Sequence, residues 1–583
     1  MKHIVESRLV SRRPAVRSRL AVTIFLSGVV SVTGAFADDD DIDFRPGNLL
    51  VSRSVYDNNP ANVVAGKTSL PPNCLPANCV TATDDGSYPQ IWNNTLVDGS
   101  FGITAKIVLD QLKPTGALVN SLEVELPHGS ERHDRSTGDQ VVTSFPSKSE
   151  LALNLSTDGR VVTFMGYLAP LDALDVSNSN TPGVVDPTNP VPGSYSRVVA
   201  EVDTHGRFHF AKTNAYSGDN GRAAIRNDKN GANVVYTAGN AGAGANPQPN
   251  GIIVGAGLQI LTAERTPLAA QNPGLPSPVG SFNITQLGFK ADKVGKDTNF
   301  RGLTVSNNVL YTTKGSGSNG INTVYFVDTT GFDANGKPLA CPSGVGLLGA
   351  NATLPTAPIF YDATQLQTLG VVPYNMCILK GFPTILAKTP ASFPFGLWFA
   401  DGKTLYVADE GNGTNTFDPV SGKYTAAATR PGSGLQKWVF DAGLGAWKLA
   451  YVLQAGLNLG VPYTVHGYPT GQNPKTGLPW APAAEGLRNI AGRVNRDGSA
   501  TIWAITSTVS GNGNQGADPN QLVMITDNLA ATGLPAGESF TAIRTARFGE
   551  VLRGVSFTPG TDRDRVVDAD DHRDDDRRDN DHR

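Results

Sequence analysis

Two neighbouring acids, Asp409 and Glu410, close the strand-like part of the stretch LYVADEGNG at residues 405–413. Carboxylates beside a glycine-rich turn can act as general bases, hold a divalent cation or pair with cationic side chains. Four arginines recur in similar local settings: Arg222 in NGRAAI, Arg301 in NFRGLT, Arg488 in GLRNIA and Arg553 in VLRGVS. A guanidinium keeps its proton at ordinary pH, and its planar fork matches carboxylate or phosphate. These residues lie far apart in the chain, so they can act together only if the fold gathers them.

The elements that would gather them are β-strands. Short runs rich in β-branched and aromatic residues recur at 160–168, 196–203, 233–239, 308–313, 404–409 and 500–506, a strand signature. Asp-Gly turns precede several of them, as in TDGR, ADGK and RDGS, and supply the positive φ that tight hairpins need. Five segments, 148–166, 220–239, 299–315, 394–411 and 487–507, share one layout of weak strand, turn and stronger strand, and 552–560 begins a sixth copy. Strand pairs repeated in this way predict an all-β fold, a β-propeller of six blades, or seven if 240–298 hides another. Three strands near the N-terminus, 48–55, 103–112 and 118–126, lack an innermost partner, which 552–558 would supply. The ring would thus close by pairing N- and C-terminal strands. In this register Arg222, Arg301, Arg488 and Arg553 take one repeat-equivalent position, Glu150 and Phe395 take it in the other two copies, and Lys314, Asp409 and Glu410 fall at second-strand ends.

At LYVADEGNG the chain resembles the NHL-type and gluconolactonase-like propellers, whose blades carry a Tyr-Val-Ala-Asp strand followed by Gly or Asn. Over residues 46–558 it is similar to exported bacterial β-propeller proteins of unassigned activity. The resemblance implies blades rather than a chemistry, because such propellers include lactonases, lyases, phytases and binding proteins. In the gluconolactonase-like group, acids at the pore mouth hold a divalent cation, which would make Asp409, Glu410 and Glu150 candidate calcium ligands. Calcium takes six or more oxygens; three acids do not supply them, so no metal residue is assigned.

Composition bounds the remainder. The 583-residue chain is 39% apolar with 64 Gly and 39 Pro, and its net charge of −4 gives no whole-chain signature for nucleic acid. Basic residues before LAVTIFLSGVVSV and the small-residue site Ala35–Ala37 read as a signal peptide over 1–37. SRRP carries a twin arginine, although the following residues favour ordinary secretion. An acidic leader over 38–45, a propeller domain over 46–560 and an Asp/Arg-rich disordered tail over 561–583 follow, with no transmembrane segment. Four cysteines in an exported chain suggest two local disulfides, Cys74 with Cys79 and Cys341 with Cys377. The cluster His128, Glu131, His133 and Asp134 falls in a polar loop with nothing to aim ligands. No nucleophile elbow or Walker loop is present.

Convergent arginines at one mouth predict a periplasmic or extracellular propeller that binds an anionic small molecule or a protein partner through Arg222, Arg301, Arg488, Arg553, Lys314, Glu150, Asp409 and Glu410. Two alternatives stand beside it: a hydrolase or lyase working at the same mouth, and a cell-surface or matrix protein using the long loops.

Overall fold

The computed structural model describes residues 42–562 except 75–78, 89–101, 127–137, 186–188, 190, 242–256, 264–267, 271–277, 281, 283–298, 316–320, 330–345, 348–351, 359–374 and 387–391. The expected signal peptide, nearly all of the charged tail, Cys341 and the His128–Asp134 cluster therefore lie outside the described residues.

The chain opens with β1 (Leu49–Val55), a small ribbon of β2 (Ser69–Leu70) and β3 (Val80–Thr81), then β4 (Thr104–Leu112), β5 (Leu118–Glu123) and β6 (Gln140–Ser144). Next come β7 (Asn154–Leu155), β8 (Val162–Ala169), β9 (Arg197–Val202) and β10 (Phe208–Thr213). Two units follow: β11 (Gly221–Asn227), β12 (Val234–Gly239), β13 (Gly257–Thr262), β14 (Leu268–Ala270) and β15 (Pro278–Gly280); and β16 (Phe300–Ser306), β17 (Val309–Lys314), β18 (Thr323–Val327) and β19 (Met376–Ile378). The next comprises β20 (Pro394–Phe399), β21 (Thr404–Asp409), the excursion β22 (Phe417–Asp418) and β23 (Lys423–Tyr424), then β24 (Gly434–Asp441) and β25 (Ala446–Leu453). The last elements are β26 (Ala483–Val494), β27 (Ser499–Val509), β28 (Gln521–Asn528), β29 (Thr541–Thr545) and β30 (Glu550–Phe557).

Four separate four-stranded sheets result: β11-β12-β13-β15, β16-β17-β18-β19, β20-β21-β24-β25 and β26-β27-β28-β29. They are the blades of a propeller-like ring. Apart from the two-stranded ribbons β2-β3 and β22-β23, the remaining strands form one ten-stranded sheet, in which β6 links β4 to β8. The irregular stretch after 240 contributes β13 and β15 as outer strands of the sheet begun by β11, and β14 as a parallel partner of β10. At 148–166 the expected first strand is reduced to two residues, β7; the extended segment before it instead turns the Glu150 carboxylate inward.

Packing follows the same order. One apolar cluster joins the β8–β10 layer to the β11 sheet through Met165, Val199, Ala224 and Val235. Another joins the β20 and β26 sheets through Tyr406, Leu435, Leu487 and Ile502. Trp503 and Ile505 of β27 pack with Leu49, Val51, Leu552 and Val555, carrying the last sheet onto the first strand. Neighbouring sheets thus bury their faces against each other, as stacked repeats must.

The terminal strands pair. Strand β1 lies between β30 and β4, antiparallel to both, with Leu50 opposite Ser556 and Gln111. An ionic network reinforces this seam. The Arg53 fork donates to both oxygens of Asp110 at 3.0 and 3.1 Å and to Glu550 at 2.7 Å. Arg544 donates to the same Asp110 at 2.8 Å, and Asp110 is fully buried.

The inner strands approach too closely for side chains at certain positions. A Cβ on Gly302 would collide with the carbonyl oxygen of Phe395, one on Gly396 with that of Arg488, and one on Gly554 with that of Leu151. The glycine after Arg301, Phe395 and Arg553 therefore lets the next inner segment sit against it. Asn489 donates to the Arg553 carbonyl at 2.8 Å, and the Ala152 amide to the Arg222 carbonyl at 3.3 Å.

The Cys74–Cys79 disulfide is present. Cys377 is disulfide-bonded and no described cysteine is free. Among the described residues no helix is long and apolar enough to cross a membrane.

Candidate functional site

The inner strands β11, β16, β26 and β30 each carry a buried arginine, Arg222 and Arg301 near the start of their strands and Arg488 and Arg553 at mid-strand. They lie close enough to repel one another: Arg301 disfavours the charge on Arg222, and Arg488 disfavours those on Arg301 and Arg553. Burial is the larger cause in each case; it pulls Arg222 down to about 10 and Arg553 to about 9, so both remain charged at neutral pH.

Glu410 sits between two of them. Arg301 donates to its Oε1, and Arg488 Nε donates to Oε2 at 3.1 Å. Burial opposes ionisation of this carboxyl, but Arg301, Arg488 and Lys148 outweigh it and hold it below the usual carboxylate range. In β20, Phe395 replaces the arginine, and its ring lies 5.2 Å from the Arg301 guanidinium carbon, a cation–π contact.

The other cations are less well matched. Arg222 donates to Asn220 at 2.9 Å and to Asn299, with Asp219 3.9 Å away. Among the described residues Arg553 has no carboxylate ion pair: it donates to Ser54 at 3.3 Å, to the Phe145 carbonyl and to the Gly516 carbonyl at 3.2 Å. Its Nη1 is buried without any partner. Apart from Nε, the Arg488 guanidinium makes no hydrogen bond among the described residues, nor does the ammonium of Lys148. Burial, then repulsion by Arg488, lowers the pKa of Lys148.

Glu485, on β26 and N-terminal to Arg488, faces Lys148. Its Oε1 accepts from the amides of Asn412 and Gly413 at 2.7 and 2.8 Å, in the turn after Asp409. A Cβ on Gly411 would overlap this carboxyl, which explains the glycine there. Burial pushes Glu485 up to about 7, against the two amides and Lys148. The acid-and-glycine ending of LYVADEGNG is thus a carboxylate-binding turn, with the carboxylate supplied by the next blade.

Three of the sequence candidates are engaged in internal contacts. Glu150 accepts from Thr143 at 2.6 Å, the Ser144 amide at 2.9 Å, Tyr167 and Asn220. Asp409 accepts from Ser392, the Phe393 amide, the Gly411 amide and Gln436 at 2.7–3.2 Å, tying β21 to the loop ahead of β20; burial raises its pKa. Lys314 is buried and donates to Asn322 at 3.3 Å. Among the described residues no group of three or more His, Cys, Asp or Glu is placed to hold a metal.

Sequence reasoning missed Lys148, Glu485 and Arg197. Lys148 stands two positions before Glu150 and Glu485 three before Arg488, so a finer alignment of the repeat starts would have exposed both. Arg197, fully buried, donates to the carbonyls of Ser177, Ser179, Tyr195 and Asp219. It performs the blade-bridging role that any single arginine of this fold could have.

Fold and site together define a propeller-like protein whose inner strands bring Arg222, Arg301, Arg488 and Arg553 together with Lys148, Glu410 and Glu485. No family model matches the chain, and no curated protein does. Among solved structures, an acylaminoacyl peptidase in complex with Z-Gly-Gly-Phe-chloromethyl ketone is similar at 9% identity and a TM-score of 0.20, over 78% of this chain and 60% of that one. At that score the likeness carries no inference about chemistry. The NHL- and gluconolactonase-like resemblance therefore rests on blade sequence alone.

Proposed function

We propose that this chain is an exported six-bladed propeller that binds a small anionic ligand at its axis, where Arg488, Arg553 and Lys148 converge. The observation that carries this reading is the set of uncommitted donors: Arg553 Nη1 is buried and unpartnered, and neither Lys148 nor the outer nitrogens of Arg488 meet an acceptor among the described residues. A buried guanidinium without an ion-pair partner among the described residues, as at Arg553, costs several kcal/mol. An anion bound among these donors recovers that cost, and like charges held together are the usual form of such a site. Arg222 and Arg301 extend the positive field, with Glu410 fixing Arg301 and Arg488 in place. The count of six is supported by the succession of inner segments, β11, β16, β20, β26, β30 and the segment leading into β7. Export is supported by the disulfide at Cys74–Cys79.

Titration calorimetry with inorganic phosphate and with malonate tests the reading. Binding should weaken about tenfold or more in Arg488→Gln and Arg553→Gln and should fall with added salt. Unchanged affinity in both variants, or no binding of either anion, would leave the arginines as structural bridges.

A hydrolase or lyase at the same mouth is favoured by one observation, the near-neutral pKa of Glu485 beside Lys148. On that reading Glu485 is the base, because the Glu150 and Asp409 carboxylates are occupied by internal donors and Glu410 is locked between arginines. Calcium has no assigned role in either reading.

A further inference from the structure

At the opposite ends of the inner strands from the arginines lies a cavity of about 660 Å³, within the usual range for small-molecule sites. Its walls come from β7, β11, β16, β20, β26 and β30 and the turns that follow them. Arg493 of β26 lines it, with its Nε buried and unpartnered. The guanidinium as a whole makes no hydrogen bond among the described residues and lies 5.6 Å from the centre of the Trp503 ring. Of the two acids in the wall, Asp401 is engaged in its own turn with the Lys403 amide at 2.7 Å and Thr404 at 3.3 Å, and Asp562 is not free either.

The wall also presents hydroxyls to the cavity. Thr304, Ser306 and Ser556 line the cavity, the first and last of them 8% and 5% exposed, and none of the three side chains makes a hydrogen bond among the described residues. Hydroxyls left open toward a cavity in this way are available to donate to and accept from a ligand. Trp398 offers no free ring face, because it stacks on Tyr406 at 5.7 Å and lies against Gly492. A flat aromatic ligand is therefore a poor match.

We propose that this cavity binds a hydroxyl-rich small molecule carrying one anionic group, a sugar acid or sugar phosphate in kind, with Arg493 taking the anion and Thr304, Ser306 and Ser556 taking hydroxyls. A planar guanidinium serves either anion equally. This site is separate from the axial cluster and stands whether or not that cluster binds phosphate.

Titration calorimetry on the full chain, with galacturonate and glucose 6-phosphate as probes and galactose and acetate as controls, decides it. At least one charged sugar should bind more tightly than galactose and acetate. Arg493→Gln should weaken that binding about tenfold or more, and Ser556→Ala by about threefold or more with an unchanged melting temperature. Arg488→Gln should leave it unaltered, which separates this site from the axial one. If Arg493→Gln fails to fold, Ser556→Ala carries the decision. Failure of both charged sugars to bind, galactose binding as tightly as galacturonate, indifference to both wall substitutions, or loss of binding in Arg488→Gln would each overturn the proposal.

Discussion

A single carboxylate holds two of the axial arginines apart. Glu410 accepts from Arg301 and Arg488 at once, so its removal leaves two buried like charges facing each other. Glu410→Gln should cost about 3–5 kcal/mol in chemical denaturation, more than the same change at an exposed acid such as Asp158. Glu485 behaves in the opposite sense. Its carboxyl rises from 4.5 to about 7 on folding, so between those values the folded chain binds more protons than the unfolded one. Its contribution to stability is therefore greatest below pH 4.5 and falls as pH rises to about 7, by at most about 3 kcal/mol. Asp518, raised to about 6 by burial, acts in the same direction. Melting temperatures from pH 4.5 to 8 should fall for the native chain and fall less for Glu485→Gln. A profile unchanged by that substitution would show that the carboxyl is ordinarily hydrated.

The inner strand is the element on which the site depends. It presents an arginine, follows it with a small residue that admits its neighbour, and ends at the second cavity. Because a Cβ at Gly302 meets backbone rather than a flexible side chain, the neighbour cannot step aside. Gly302→Ala should destabilise by about 1–3 kcal/mol through overpacking, measurable by denaturant titration. A change below about 0.5 kcal/mol would mean that the strands are looser than their contacts imply. The same spacing explains why Arg488, followed by Asn489 instead of glycine, sits against β30 through an amide hydrogen bond.

Across the whole molecule, the seam between β1 and β30 joins residues separated by almost the full described chain. Its charge network buries Asp110 under Arg53 and Arg544, and the Trp503 cluster seals the other side. A chain ending at residue 547 loses β30, leaving β1 an open edge and Asp110 without the neighbouring Glu550. Such a chain should lose its single cooperative melting transition and become sensitive to limited proteolysis. Retention of the native transition would mean that ring closure is not what holds these sheets together.

Much of this was legible before any coordinates. The strands at 404–409 and 233–239, and the pairing of 48–55 with 552–558, follow from alternation, Asp-Gly turns and an unfinished repeat, all local signals. The shared position of Arg222, Arg301, Arg488 and Arg553 was equally readable, because a repeat places equivalent residues equivalently. The division of labour among charges was not. Glu150 and Asp409 look as available as Glu410 in the chain, yet their donors, Tyr167, Thr143, Ser392 and Gln436, arrive from other turns and strands. Lys148 and Glu485 gain their roles only where one blade's turn meets the next blade's inner strand, and the cavity at Arg493 exists only once several strand ends surround it. Local sequence determines which strands form and where each charge sits along them; only packing between blades decides which charges are neutralised, because hydrogen-bond partners and desolvation are properties of neighbours distant in the chain.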